Sequence, residues 1–328
     1  MKKIFIIILL PLFLLTFSCS KEENAEPLQR VRIAFLNNDL HQLAAYVALN
    51  NGYYTKQGLQ VEVAGIFKAG PEEMSAFSAG EIDAGYVGLA PAVIATVNGV
   101  ADVMLLAQVN NEGSSIVVPS ESSLTASSLD SADKKFLQLA GKKIAIPGKG
   151  TMQDFLIKRA IEKWKPEPAP SDIVIKPPEM LPTLVNGDVD AFISWEPYPT
   201  MAEKDGRGKV IINSGEIWEN HPCCVLVGNR KFIEDDYDRA ARIIKAHVEA
   251  TEFIKQNPDR AVIIGMSYTG LDESTVRKAI GKIKYVYYPE PEGYKDFLSF
   301  LIKFGYIKQT DPESFLKRFF DEKLWKGF

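Results

Sequence analysis

A five-residue pattern that occurs twice constrains the fold of this chain more than any other feature of its sequence. Residues 80–84, Gly-Glu-Ile-Asp-Ala, recur at 187–191 as Gly-Asp-Val-Asp-Ala, and each copy continues through strand-like residues to a loop and then to Pro91 or Pro197. A glycine that ends a helix before an apolar run is typical of an ordinary helix-to-strand turn. Its repeated position before a proline-initiated helix predicts, in addition, two lobes of similar construction.

Short apolar runs alternate with helical patterns in the order that produces parallel β-sheets. The strands that we predict lie at 31–36, 61–67, 83–87, 103–109, 143–146, 173–175, 191–194, 210–213 and 225–227. From about residue 235 the pattern is purely helical to the end of the chain. The sequence therefore predicts an α/β protein of two lobes with a helical C-terminal section. Ligands of such open sheets bind in a crevice at the carboxyl ends of the strands.

The charged residues and the cysteines exclude several classes of protein. The 328 residues include 38 Lys and Arg against 42 Asp and Glu, a formal net charge of −4, with no basic run after the first few residues. This balance disfavours binding to nucleic acid. Three cysteines are too few for a disulfide scaffold, and the three histidines lie far apart in the sequence, which argues against a zinc cluster. We therefore predict neither a metal site nor a cofactor.

The N-terminus has the pattern of an export signal. Two lysines precede an apolar run over 4–17, which is shorter than the roughly 20 residues of a membrane span and suits a signal-peptide core. Cys19 and the polar residues after it are similar to a bacterial lipoprotein signal. We predict a signal peptide over 1–18, lipidation of Cys19 and a tether over 19–29, with plain secretory cleavage as the alternative. The mature protein would lie outside the cytoplasm, attached to the bacterial cell membrane by its lipid anchor alone.

The chain resembles the extracytoplasmic solute-binding proteins of ABC importers, in the branch for nitrate, sulfonates, taurine and thiamine pyrimidines. The segments that carry this resemblance follow the order of the family and lie at 52–54, 58–63, 78–84, 141–145 and 184–198. The last segment, which ends in Trp-Glu-Pro-Tyr, is the most specific of them. Together the segments extend the resemblance over essentially the whole mature chain.

The resemblance implies a two-lobed, periplasmic-binding-protein-like fold of type II with two hinge strands. Lobe I would comprise 30–117, lobe II 118–221, and the return to lobe I with the C-terminal helices 222–328. The hinges would lie near 115–118 and 223–227. The family's activity implies a monomer without catalysis, which captures a small polar organic ligand, such as an amino-sulfonate or a pyrimidine, and delivers it to an ABC permease and ATPase.

The resemblance also places the ligand between the lobes, where loops and helix N-termini offer free N–H donors. The residues that we predict to contact the ligand are Asn37, Asn38, His41, Gly88, Leu89, Ala90, Gly150, Thr151, Met152, Trp195, Glu196 and His221. Other roles fit several of them equally well. Thr151 and Asp154 form an ordinary capping box, and His41 suits a surface position. Trp195 suits the core, and Glu196 suits a cap of the helix after Pro197.

Glu196 determines the predicted chemistry of the ligand. A carboxylate in the cleft opposes binding of a bare inorganic anion, because a buried carboxylate without a partner is costly. If Glu196 faces the cleft, the ligand is a planar or zwitterionic compound with at least one donor, walled by Trp195. Nitrate and simple alkanesulfonates would then bind weakly.

The segment from His221 to Cys224 is also compatible with a second class of function, an enzyme. Yeast-type pyrimidine-precursor synthases of thiamine biosynthesis share the fold implied above and carry a cysteine-rich motif at this place. Only Cys223 and Cys224 match that motif, and an export signal does not suit an intracellular enzyme. A buried strand with two small thiols is the preferred interpretation. A related enzyme and a ligand-sensing domain are the alternatives.

Overall fold

Two β-sheets form the centres of two lobes in the computed structural model, which describes residues 27–123 and 131–326. The strands are β1 (Gln29–Leu36), β2 (Leu59–Phe67), β3 (Ala84–Gly88), β4 (Val103–Glu112), β5 (Ser114–Pro119), β6 (Lys143–Ile146), β7 (Ser171–Val174), β8 (Ala191–Trp195), β9 (Gly208–Asn213), β10 (Pro222–Asn229) and β11 (Ile283–Tyr285). The sheet of lobe I has the order β11-β4-β10-β3-β1-β2, and that of lobe II the order β7-β6-β8-β5-β9.

The two copies of the repeated pattern begin equivalent strands. β3 and β8 are both completely buried. β3 lies between its parallel neighbour β1 and the antiparallel strand β10, and β8 lies in the same way between β6 and β5. In each lobe the antiparallel partner is the strand that arrives from the other lobe. The prediction of a two-lobed α/β fold is therefore confirmed.

The chain crosses between the lobes at two places that the sequence did not locate. The first is Gly113, whose φ of 87° ends β4 and turns the chain into β5. The second is the segment 218–221, between lobe II and β10. The boundary predicted after residue 117 and the hinge predicted near 115–118 lie inside β5, which pairs only with strands of lobe II. The hinge predicted near 223–227 lies inside β10 of lobe I.

Helices cover both sheets and form most of the C-terminal third. They are α1 (Leu43–Asn50), α2 (Tyr53–Lys56), α3 (Gly70–Ser78), α4 (Leu89–Val97), α5 (Ala132–Leu137), α6 (Met152–Trp164), α7 (Pro177–Val185), α8 (Tyr198–Lys204), α9 (Ser214–Ile217), α10 (Arg230–Asp235), α11 (Tyr237–Gln256), α12 (Pro258–Thr269), α13 (Glu273–Ile280), α14 (Pro291–Lys303) and α15 (Pro312–Phe319). Short 3-10 segments lie at Leu40–Gln42 and Glu322–Trp325. The predicted purely helical C-terminus is wrong at β11, a three-residue edge strand paired with β4. Within the described ranges, none of the helices has the length and apolar character needed to cross a bilayer.

Helix α14 connects the two lobes through aromatic packing. Phe155 of α6, in lobe II, has its ring centroid 4.8 Å from that of Phe297 and 4.5 Å from that of Phe300, both of α14. All three rings are buried. Such edge-to-face pairs contribute about 0.5–1.5 kcal/mol each beyond the area that they bury. The C-terminal section therefore holds the lobes together in addition to completing lobe I.

Candidate functional site

A cavity of about 20 Å³ lies between the lobes and is lined from both of them. Lobe I contributes Leu36, Asp39, His41, Gly70, Gly88, Pro91, Cys223 and Cys224. Lobe II contributes Thr151, Met152, Gln153 and Trp195. A water molecule needs about 10–15 Å³ on this measure, so the cavity has room for a single small ion or molecule.

The cavity brings together some of the residues that the sequence predicted and leaves others out. Five predicted contacts line it: His41, Gly88, Thr151, Met152 and Trp195. Seven do not: Asn37, Asn38, Leu89, Ala90, Gly150, Glu196 and His221. A larger cavity of about 80 Å³ beside the second crossover has no predicted contact in its lining. The interlobe cavity, where five of the predicted contacts meet, is therefore the candidate site.

The carboxylate of Glu196 is bonded to other residues of the protein and does not line the cavity. Its side chain is fully buried, with Oε1 2.9 Å from Nζ of Lys282, and its Oε2 accepts a hydrogen bond of 3.2 Å from the backbone N–H of Thr200. The second bond satisfies a free N–H in the first turn of α8, which is the capping role that the sequence left open. Burial raises the pKa of Glu196, and Lys282 opposes that rise. The carboxylate that lines the cavity belongs to Asp39 instead.

The start of α6 is capped by its own side chains. Thr151 Oγ1 accepts from the backbone N–H of Asp154 at 3.3 Å and donates to the carbonyl of Gly148 at 2.8 Å. Asp154 Oδ2 accepts from the backbone N–H of Gly150 at 2.7 Å, and its Oδ1 lies 2.8 Å from Lys158 Nζ. Half of the predicted capping box is thus present, because Thr151 caps the Asp154 N–H but Asp154 accepts from Gly150 instead of from Thr151. Thr151 also lines the cavity.

His41 is oriented by hydrogen bonds on both sides of its ring. Asp39 Oδ1 accepts from the backbone N–H of His41 at 2.9 Å and fixes the 3-10 turn. His41 Nε2 lies 2.7 Å from the carbonyl oxygen of Gly113. A carbonyl can only accept, so Nε2 carries the proton and the neutral ring has a free lone pair on Nδ1. That Nδ1 atom lies 3.5 Å from Cys223 Sγ and 3.6 Å from Cys224 Sγ.

A β-bulge allows two adjacent cysteines to face the same histidine. Successive side chains of a regular strand point to opposite faces of the sheet, but the register of β10 against β4 shifts on both sides of Cys224. The sequence predicted a buried strand for Cys223 and Cys224, and both are buried in β10. Their spacing in the sequence gives no indication that they lie near His41. The prediction of no metal site therefore did not anticipate this group of three possible metal ligands.

The model of the NMT1-like family matches residues 24–266, about three quarters of the chain. The chain belongs to the NMT1-like family. The resemblance to the nitrate and sulfonate branch of binding proteins is thereby confirmed. A nitrate/nitrite binding protein of Synechocystis is 23% identical over 71% of this chain and 55% of its own length. A Bacillus subtilis protein named for binding aliphatic sulfonates is 25% identical over 69% of this chain and 65% of its own.

Solved structures show the same fold at low sequence identity. The nitrate-binding protein of Synechocystis superposes with a TM-score of 0.76 at 19% identity, over 91% of this chain and 88% of its own. A ligand-binding component of an ABC-type import system from Staphylococcus aureus, solved with zinc bound, gives 0.77 at 16%, over 91% and 98%. The alkanesulfonate-binding protein of Xanthomonas axonopodis, bound to MOPS, gives 0.73 at 17%, over 87% and 96%. This NMT1-like protein therefore has the fold of ABC-importer binding proteins.

In the cavity of this NMT1-like protein, the titratable groups of Asp39, His41 and Cys223 shift one another's pKa values. Burial lowers the pKa of His41, but Cys223 and Asp39 outweigh burial and raise it to about 9. The hydrogen bond from the Cys224 thiol, together with His41, lowers the pKa of Cys223. Burial raises the pKa of Asp39 to about 7 against the opposing effect of His41. His41 and Cys223 therefore share one proton, and the pair carries no net charge.

Within the described ranges, the remaining lining offers one unpartnered side-chain donor and no lysine or arginine. Trp195 is 4% exposed, and its indole N–H finds no hydrogen-bond partner in the part of the chain that the structure describes. Among the described residues that line the cavity, none is a lysine or an arginine. A bare anion would consequently meet Asp39 and the thiols without an unpaired cation to balance its charge.

Proposed function

We propose that this NMT1-like protein is the solute-binding component of an ABC importer, and that it captures its ligand between the lobes without transforming it. The observation that carries the proposal is a small cavity lined by side chains of both lobes, which two chain crossings connect. A ligand that contacts both lobes binds the closed arrangement more tightly than the open one and shifts the population toward it. The names of the nitrate and sulfonate relatives support the same role.

The proposed ligand carries positive charge or hydrogen-bond donors. Asp39 lines the cavity in the role predicted for Glu196, and none of the described lining residues is a lysine or an arginine. An amino-sulfonate or a pyrimidine belongs to this class if the lobes open to admit it. Nitrate and simple alkanesulfonates lack the donor that Asp39 would accept from, so we expect them to bind weakly.

The test of lobe closure uses protein purified with its bound ligand from the membranes of the cells that produce it. A native mass spectrum identifies the bound ligand, and small-angle scattering compares the radius of gyration before and after that ligand is removed. We expect contraction on rebinding. An identical radius of gyration at saturation would contradict capture between the lobes.

The charge of Asp39 is tested with a matched pair of substitutions. Asp39→Asn keeps the oxygen that accepts from the His41 N–H but removes the charge, whereas Asp188→Asn makes the same change at an exposed turn. We expect Asp39→Asn to weaken binding of the ligand by about 2–5 kcal/mol and Asp188→Asn to leave it unchanged. Equal affinities would show that Asp39 does not face the ligand.

We further propose export and attachment to the membrane through a lipid on Cys19, which lies outside the described residues. Metabolic labelling with a palmitate analogue tests this directly. Cys19→Ala should abolish the label and release the protein from the membrane fraction. Persistence of both would leave simple secretion as the correct interpretation.

A further inference from the structure

We propose that His41, Cys223 and Cys224 bind one thiophilic d10 cation, Cu(I) or Zn²⁺, at the lobe I wall of the interlobe cavity. That this cation is the captured solute rests on the function proposed above. The binding site itself rests only on the three side chains. All three are buried, and their donor atoms lie within 4.8 Å of one another.

The distances in this cluster suit a common metal ion. With a Zn–S bond of about 2.3 Å and a Zn–N bond of about 2.0–2.1 Å, tetrahedral angles separate nitrogen from sulfur by about 3.6 Å. His41 Nδ1 lies 3.5 Å from one sulfur and 3.6 Å from the other. A lone pair on nitrogen accepts one thiol hydrogen bond, which accounts for one sulfur but not for two at the same distance.

The orientation of the imidazole is the one that a metal ligand requires. The hydrogen bond from Nε2 to the Gly113 carbonyl holds the proton on the far side of the ring, so that Nδ1 presents its lone pair to the sulfurs. Metal-binding histidines characteristically donate their other N–H to a carbonyl or carboxylate in this way. The bulge at Cys224 completes the set by turning both thiols toward the same point.

The surroundings select a soft cation. Two thiolates supply the negative charge that a monovalent or divalent ion needs, and Asp39 and the thioether of Met152 line the same cavity. Sulfur and imidazole donors favour Cu(I) and Zn²⁺, whereas Mg²⁺ and Ca²⁺ favour sets of oxygen atoms. A cavity of about 20 Å³ admits a single ion.

The experiment uses the full chain with Cys19→Ser in every sample, so that Cys223 and Cys224 are its only thiols. The reduced, metal-free protein is titrated anaerobically with Zn²⁺ and, separately, with Cu(I) against chromophoric chelators. X-ray absorption then counts the ligands of the bound ion. We expect one equivalent of metal, coordinated by two sulfurs and at least one nitrogen. The affinities from the two chelator competitions show which ion the site prefers.

Single substitutions test two of the three ligands, His41 and Cys224. We expect His41→Gln and Cys224→Ser each to weaken binding by at least about 100-fold, since loss of even an outer-shell partner costs about 10–100-fold. His221→Gln is the matched control, because His221 is equally buried and lies two residues before Cys223 but outside the cluster. Thermal melts of the metal-free variants check their folding. If a variant fails to fold, the absorption data on the chain with all three ligands still decide.

Two results would overturn the site. One is a coordination shell without sulfur, and the other is unchanged metal binding by the Cys223→Ser/Cys224→Ser double variant. Sulfur coordination without contraction in small-angle scattering would support the metal site and overturn capture by lobe closure. Contraction on an organic ligand, with no metal bound, would overturn the metal site and leave the importer function in place.

Discussion

Lys282 and Glu196 form an ion pair that joins the two lobes, with Nζ 2.9 Å from Oε1. Glu196 follows β8 of lobe II and is 0% exposed, while Lys282 precedes β11 of lobe I and is 22% exposed. Lys282 also donates to Thr200 Oγ1 at 3.1 Å and lies 3.2 Å from Glu203. One lysine therefore pairs with two carboxylates of the opposite lobe and fixes the end of β8 beside the cavity.

Removing Lys282 should destabilise the protein strongly. Lys282→Met leaves Glu196 buried without its counter-ion, and breaking one side of a buried pair costs about 3–5 kcal/mol. Urea unfolding at neutral pH measures this cost. The double variant Lys282→Met/Glu196→Gln should recover part of the loss, because it removes the uncompensated charge.

Lys284→Met is the control for this prediction. Lys284 pairs with Glu112 but is 50% exposed, and solvent-exposed pairs contribute about 0–1 kcal/mol. A loss below 1 kcal/mol for Lys282→Met, similar to that of Lys284→Met, would show that the interlobe pair is solvated rather than buried.

Gly113 should not tolerate a side chain. Its φ of 87° is unfavourable for other residues, and a β-carbon would overlap His41 Nε2 and lie 3.0 Å from Ile283 Cγ1. Gly99 has a similar φ of 73° but open space around it. We expect Gly99→Ala to cost about 1–2 kcal/mol from the backbone alone, and Gly113→Ala about 1–3 kcal/mol more. Equal losses in urea unfolding would mean that the contact with His41 relaxes freely.

Local patterns predicted the fold because each of them reports on a nearby part of the chain. The repeated turns at 80–84 and 187–191 identified the two equivalent central strands, and Thr151 with Asp154 identified the start of α6. These features depend on residues within one turn or one strand of each other. Their physical causes are therefore visible in the sequence itself.

The composition of the site depends on partners that are distant in sequence. Lys282 reaches Glu196 across 86 residues, and Cys223 reaches His41 across 182. The bulge in β10 reverses the face on which one cysteine lies, and regular alternation cannot show such a reversal. Five of the twelve predicted contacts line the cavity. The carboxylate in its lining, however, belongs to Asp39 and not, as the sequence predicted, to Glu196.

The hydroxyl of Thr151 should stabilise α6 measurably. Thr151→Val retains the shape of the side chain but loses both the cap on the Asp154 N–H and the bond to the Gly148 carbonyl. We expect a loss of about 0.5–2 kcal/mol in urea unfolding and recovery in Thr151→Ser. Thr183→Val removes a hydroxyl that bonds within a more exposed helix, and it should cost at most about 0.5 kcal/mol. Equal effects of the two valine substitutions would contradict the cap.

His247 should make the stability of the protein depend on pH below neutrality. Its Nε2–H donates to the Gln108 carbonyl at 2.9 Å, its Nδ1 lies 3.3 Å from the Tyr86 hydroxyl, and it is fully buried. Burial lowers the pKa of His247 to about 4, against the smaller opposing effect of the bond to Gln108. The folded protein thus keeps this histidine neutral where the unfolded chain, with a pKa of about 6.5, is protonated.

The sign follows from the protons bound in each state. Between about pH 6.5 and 4 the unfolded chain binds the extra proton, so the free energy of unfolding falls by up to about 1.4 kcal/mol per pH unit as the solution is acidified. His247→Gln keeps an N–H for Gln108 but does not titrate. We therefore expect the stability advantage of the wild type over this variant to shrink by about 3 kcal/mol from pH 7 to pH 4. Lys255→Gln, on the exposed side of the same helix, should leave the pH dependence unchanged. Parallel curves for the wild type and His247→Gln would show that His247 has the same pKa in the folded and unfolded states.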